Sequence, residues 1–493
     1  MSYDRGVWAA ALLMLLPACD VVFGLDRAPA DAANDEALPA AVTGRFTLRY
    51  VTNQADATPT VVEQKHPDVA LQVVVADALE GSALPLDDDG RFSFERPAGA
   101  PYRLLWQSAL DGNVATEWST DAASVAIASH AATRPARVPV TQPTLLAFPT
   151  PAFVGQRVVH STGIWTETGI MGDTMDWQNA FALSPPLALL DQARFDRLYY
   201  VVRQTFIDGA SALQYQAFGA EASTQITMQD GAAHTVPLTF VASTRDQCAK
   251  IVALRGAMMA RVGVAAQAAT AVAGDDWLIQ AAPSMVLGPV GALTVAYHTE
   301  ATATNATLTV MYRNPFPGHE PVASMGGFHK RTILAPGAAT GLDLLIGVRI
   351  YAPVTPCPAM TVLDSTQGIP GVITLADSAL TGNDGAVVVL PANQPATLSW
   401  RLAVDGRVDL TSVKIFEVTA DAGKTVLVPL RTYFTVGTSI VIDPALLQPR
   451  GRYIVRIDSN IGHVNARTGD LRTVAYPYGN ATQWSRVFGV DFQ

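Results

Sequence analysis

Short runs in which apolar and polar residues alternate, broken repeatedly by Gly, Pro, Asn or Asp, constrain this chain more than any other feature. Leu398, Trp400, Leu402 and Val404 alternate with Thr397, Ser399, Arg401 and Ala403. A period of two places one set on a buried face of a strand and the other in water, whereas a helix needs a period near 3.6. The same rhythm recurs at Phe46, Leu48 and Tyr50, at Tyr453, Val455 and Ile457, and at Phe488, Val490 and Phe492. With 37 Gly and 32 Pro in 493 residues to supply turns, the pattern predicts an all-β protein of serial antiparallel β-sandwiches. Hydrophobic residues make up 49% and charged residues 15%, which leaves ample material for several cores and argues against extensive disorder. The 33 Lys and Arg against 43 Asp and Glu give a formal charge of −10, with no long basic run. Nucleic acid is therefore excluded as an electrostatic partner.

Val7 to Leu16 is an apolar run of about ten residues, half of the roughly 20 that a bilayer-spanning helix needs. It reads as the core of a signal peptide. It leads into Leu16-Pro17-Ala18-Cys19, a segment that resembles the lipobox of bacterial lipoproteins. The resemblance implies that Cys19 is acylated through its thiol and becomes the new N-terminus, which makes the membrane a partner through a lipid anchor. Each buried methylene contributes about 0.8 kcal/mol, and more than one chain is needed for stable attachment. Asp4 beside Arg5 and Pro17 before the cleavage point depart from the pattern, and an ordinary secretory signal or a buried apolar segment are the alternatives. The expected location is the cell envelope, with the outer membrane or cell surface favoured over the inner membrane although Asp20 follows the cysteine.

The expected organisation is a signal peptide over 1–18, a tether over 19–40 rich in Ala, Asp and Pro, a first sandwich over 41–144, a β-rich middle region of one or two sandwich units over 145–349, and a last sandwich over 350–493. Gly44-Arg45-Phe46, then Asp87-Asp88-Asp89-Gly90-Arg91-Phe92-Ser93-Phe94 and Pro101-Tyr102-Arg103-Leu104 resemble the carboxypeptidase regulatory-like (transthyretin-like) domain. That resemblance implies a small β-sandwich and no activity. The acidic run lacks the spacing of a calcium loop and reads as a solvated turn. Near the C-terminus, Leu447-x-Pro449-x-Gly451-x-Tyr453 resembles the tyrosine corner of fibronectin type III and immunoglobulin-like sandwiches. Arg245 to Arg261 reads as a helix, with Cys248, Ile251, Val252 and Met258 at roughly helical spacing, and a strand pair as the rival.

Chemistry is sparse. The chain carries no Gly-x-Ser-x-Gly, His-Glu-x-x-His, Cys-x-x-Cys or phosphate-cradling glycine motif, so no catalytic residue, metal ligand or cofactor is assigned. His319, Glu320 and His329 are a thin metal candidate, and Ser324 beside His329 a thin nucleophile candidate. Trp165 and Trp177, with Asp173 and Asp176 between them, form a candidate glycan-stacking patch, set against the reading that both rings fill a core. Cys248 and Cys357 either close a disulfide in an oxidising compartment or stay separate as buried thiols. The leading expectation is a non-enzymatic, lipid-anchored exported protein that offers β-sandwiches to an extracellular protein or polysaccharide. A polysaccharide-binding protein, or a glycoside hydrolase with accessory sandwiches, is the alternative.

Overall fold

Alternation becomes strands throughout, and the protein is all-β. The computed structural model describes residues 39–493 except 57–58, 76–80, 109–112, 131–137, 148–155, 161–166, 170–173, 179–187, 210–213, 238, 240, 267–270, 282–292, 299–304, 315–320, 382–383 and 392–393. Cys19 and the rest of the leader lie outside the described residues. Ala40–Gln493 forms one unit.

The first sandwich closes on Phe46, Leu71, Val73, Tyr102, Leu104, Trp106, Trp118 and Ile127. In one sheet Pro39–Asn53 pairs antiparallel with Pro59–Lys65 and parallel with Ser124–His130. In the other, Val69–Val75, Tyr102–Ser108 and Ala115–Thr120 pair antiparallel. The Asp87–Asp89 run is a turn: the Asp87 carboxylate accepts the backbone N–H groups of Asp89 at 2.9 Å and Arg91 at 2.7 Å. Gly90 follows at φ +76°, where a Cβ would stand 2.4 Å from the Phe46 carbonyl oxygen, so only glycine fits that approach.

In the middle region Leu198–Ile207 is buried on both faces at its start. Leu198, Tyr200 and Val202 enter one core and Tyr199 and Val201 the next, which explains its unbroken apolar run. The segment read as a helix over 245–261 is corrected. Gln247–Ala253 is a strand, with Ala249, Ile251 and Ala253 inward, and the helix is Arg255–Ala266. The strand pattern at Ala249, Ile251 and Ala253 has a period of two; the helical period begins only at Met258, Val262 and Ala265, all buried. Helix and sheet meet where Gly327 leaves room for Met258 and Met259, whose side-chain tips would lie 2.6 Å from a Cβ there. The disulfide between Cys248 and Cys357, Cα atoms 5.5 Å apart, ties Gln247–Ala253 to the segment before Met360–Leu363.

Leu342–Pro353 pairs on one side with Val322–Ile333 and on the other with Tyr478–Trp484. Residues 349 and 350, where the sequence suggests a boundary, are consecutive positions of this one strand. The last sandwich packs Ile369–Leu375, Ala396–Val404 and Ser439–Ile442 against Leu410–Asp421, Lys424–Thr435 and Arg452–Ile461. Its core holds Leu398, Trp400, Val413, Ile415, Tyr433, Tyr453, Val455, Ile457, Phe488 and Val490. Tyr453 forms a tyrosine corner: its hydroxyl accepts the Gln448 N–H at 2.5 Å and donates to the Gln448 carbonyl at 3.2 Å. The ring crosses Gly451, where a Cβ would meet the hydroxyl at 2.2 Å. This is the sandwich architecture of fibronectin type III and immunoglobulin-like folds.

First and last sandwiches share a sheet, because Ala115–Thr120 runs parallel to Lys424–Thr435 with Arg431 opposite Ala115 and Phe434 opposite Trp118. Around that seam, Arg49 donates to the Arg472 carbonyl at 2.7 Å, Arg472 reaches the Glu63 carboxylate at 3.2 Å, and Ala126 donates to the Gly469 carbonyl at 2.7 Å. Glu117, whose side chain is 3% exposed, faces Arg103 at 3.2 Å and Arg431 at 3.6 Å. Burial pushes its carboxyl above the usual range, with both arginines opposing.

Candidate functional site

Three neighbouring strands build the site by the parity of their side chains. On Leu410–Asp421 and Arg452–Ile461, Val413, Ile415, Val455 and Ile457 enter the core of the last sandwich. Ser412, Lys414, Arg456, Asp458 and Asn460 share the opposite face. Tyr478–Trp484 extends it, with Asn480 opposite Asn460, Thr482 opposite Asp458 and Trp484 opposite Arg456. The outer face of an antiparallel sheet is ordinarily wet. Here Ser412, Asp458, Asn460 and Thr482 are all buried.

Buried polar groups need partners, and Asp458 has several. Its Oδ1 accepts Arg456 Nε–H at 2.8 Å and the Thr482 hydroxyl at 2.6 Å, and its Oδ2 accepts the Ser412 hydroxyl at 3.4 Å. Asn460 Nδ2 donates to the carbonyls of Asp458 at 3.0 Å and Leu410 at 3.3 Å. Three donors from three neighbouring strands fix the position of this carboxylate within the face.

Lys414 stands directly opposite Arg456 on the adjacent strand and opposite Thr432 on the other side. It makes no hydrogen bond or ion pair with a described residue. Burial holds its amine below the ordinary lysine value of 10.5; Asp458 opposes the shift and Arg456 adds to it. Two cations against one carboxylate leave this part of the face positive. Arg456 also lies over the Trp484 ring, 5.6 Å from its centroid, while Trp484 Nε1–H donates to the Leu345 carbonyl at 3.0 Å and Phe416 sits 5.7 Å away.

An aromatic group borders the face. Tyr351 and Tyr478 are direct cross-strand neighbours with ring centroids 5.7 Å apart, and His463 meets Tyr478 edge-on at 5.8 Å. Burial pushes the Tyr478 hydroxyl up to about 12, with Tyr351 and Asp458 adding to the effect. It also holds His463 below the ordinary imidazole range, against the pull of Asp409.

Those residues singled out from sequence that the structure describes lie elsewhere. Trp177 is fully buried in the core with Leu146, Leu190 and Tyr200, and its Nε1–H donates to the Ala188 carbonyl at 3.3 Å. Of the two sequence readings of Trp177, the core one therefore holds and the stacking platform is set aside, because a ring with no face in water cannot receive a sugar. Asp176 turns the chain by accepting the Gln178 N–H at 3.0 Å. Trp165, Asp173, His319 and Glu320 lie outside the described residues. Ser324 is fully buried opposite Tyr351, and no group of three or more His, Cys, Asp or Glu side chains converges among the described residues. Lys414, Arg456 and Asp458 escaped the sequence reading, since charged residues alternating with apolar ones on a strand signal an ordinary wet face.

No protein-family model matches the chain, and no curated protein matches it. Among solved structures, the crystal structure of chicken CNTN1 FN1-FN3 domains is 8% identical, with 90% of this chain and 99% of that chain covered at a TM-score of 0.13. A likeness at that score carries no argument, so the sandwich assignment rests on the strand pairing and the tyrosine corner described above.

Proposed function

We propose that the protein is a non-enzymatic, lipid-anchored component of the cell envelope that holds a stack of β-sandwiches outside the membrane for contact with an extracellular protein or polysaccharide. The observation that carries the reading is Leu16-Pro17-Ala18-Cys19 after a short apolar run, followed by a segment rich in Ala, Asp and Pro long enough to act as a tether. Two features of the body support it. A disulfide between Cys248 and Cys357 suits an oxidising compartment. Welding the first sandwich to the last through a shared sheet yields a stiff scaffold, which lowers the ordering cost of binding a partner.

Fractionation of cells that produce the wild type and Cys19→Ala tests the proposal. The wild type is expected in the membrane fraction and in the detergent phase after cloud-point separation, and the variant in the aqueous phase. Equal partition of both proteins into the aqueous phase overturns the anchor.

A further inference from the structure

Like charges directly opposite each other on neighbouring strands destabilise a sheet, and burying a charge without a partner costs more. Lys414 and Arg456 do both: they are register partners on one face, and Lys414 is partly buried without a hydrogen bond or ion pair to a described residue. Arg456 commits Nε to Asp458, which leaves the rest of its guanidinium as donors. The single carboxylate accepts from Arg456, Thr482 and Ser412 and offsets the Lys414 charge only in part, without a hydrogen bond or ion pair to the ammonium. Register partners have Cβ atoms about 5 Å apart, a spacing at which one oxyanion can receive N–H groups from both side chains. Trp484, Phe416 and Arg456 wall the position on one side. Local rules broken in this way concentrate at functional or strained sites.

We propose that the face between Lys414 and Arg456 is an oxyanion-binding site that accepts the carboxylate or phosphate group of a ligand. The ammonium supplies a point charge and the guanidinium a directional fork. A chain with a formal charge of −10 repels anions at long range, so recognition here is a short-range effect of these two cations. The proposal goes beyond the anchoring role and does not depend on acylation of Cys19.

The test is titration of the full chain in detergent with inorganic phosphate and, separately, with sodium D-glucuronate. Ionic strength is held constant with chloride, and the thermal midpoint and tryptophan fluorescence are recorded. Saturable stabilisation by at least one probe is expected, with affinity reduced at least tenfold in Lys414→Met, largely retained in Lys414→Arg and unchanged in Arg401→Met, an exposed cation on the other sheet. Response to phosphate alone identifies a phosphate-type ligand, and response to glucuronate alone a carboxylate. Absence of saturable stabilisation by either probe overturns the proposal, as does stabilisation that persists in Lys414→Met. A thermal midpoint of the unliganded Lys414→Met protein at or above that of the wild type shows that lost binding is not lost folding.

Discussion

Trp106 of the first sandwich stacks on Phe434 of the last, with ring planes 7° apart and centroids 6.4 Å apart. The two strands that frame the stack, Ala115–Thr120 and Lys424–Thr435, continue one sheet across the seam. Aromatic pairs of this kind contribute about 0.5–1.5 kcal/mol beyond their burial. A double-mutant cycle on Trp106→Ala and Phe434→Ala, read by urea unfolding, is expected to give a coupling in that range. Additive losses would mean that the two sandwiches do not support each other.

Tyr453 carries the corner of the last sandwich through two hydrogen bonds to the backbone of Gln448. Tyr453→Phe removes both and leaves a backbone N–H and a carbonyl without that partner, for an expected loss of about 1–3 kcal/mol. Gly451→Ala places a methyl group where the Tyr453 hydroxyl lies and is expected to cost at least as much, because ring and backbone must both move. Chemical denaturation of the two variants checks the order.

Lys414 is held below its ordinary value of 10.5, so the folded state releases this proton more readily than the unfolded chain. Its contribution to stability is therefore present above the ordinary value and is lost as pH falls through the lowered folded value. Lys414→Met is expected to be more stable than the wild type at pH 7, by up to about 1 kcal/mol from relief of the cross-strand repulsion. The gap should narrow as pH approaches 10.5. Thermal unfolding across that range measures it, and a variant less stable than the wild type at pH 7 would contradict the assignment.

The Cys248–Cys357 bridge spans 109 residues of sequence, and bridges closing long loops restrain the unfolded chain most in the entropic account. Replacing both cysteines by alanine is expected to cost about 2–5 kcal/mol. Reductant should lower the wild-type midpoint towards that of the double variant and leave the variant itself unmoved. Calorimetry with and without reductant distinguishes this from a bridge without consequence.

Strand content was legible because burial on one face enforces a period of two: Leu398, Trp400, Tyr453, Val455 and Phe488 all enter the core that their alternation predicts. The tyrosine corner was legible too, since Gly451 and Tyr453 meet within three residues and their geometry is local. The helix was misplaced because Cys248, Ile251 and Val252 fit a helical spacing loosely, while the inward set Ala249, Ile251 and Ala253 includes two alanines that carry little hydropathic contrast. Trp177 offered polar neighbours in sequence but apolar ones in space. The seam between first and last sandwiches, and the burial of Ser412, Asp458 and Thr482, depend on elements far apart in the chain. No local pattern encodes them.

The central claim concerns Cys19, and mass spectrometry of tryptic peptides from the membrane-purified protein addresses it directly. The account predicts an N-terminal peptide covering residues 19–27, with acyl chains on the cysteine and nothing recovered from residues 1–18. An unmodified peptide running from residue 6 through residue 27 would contradict it.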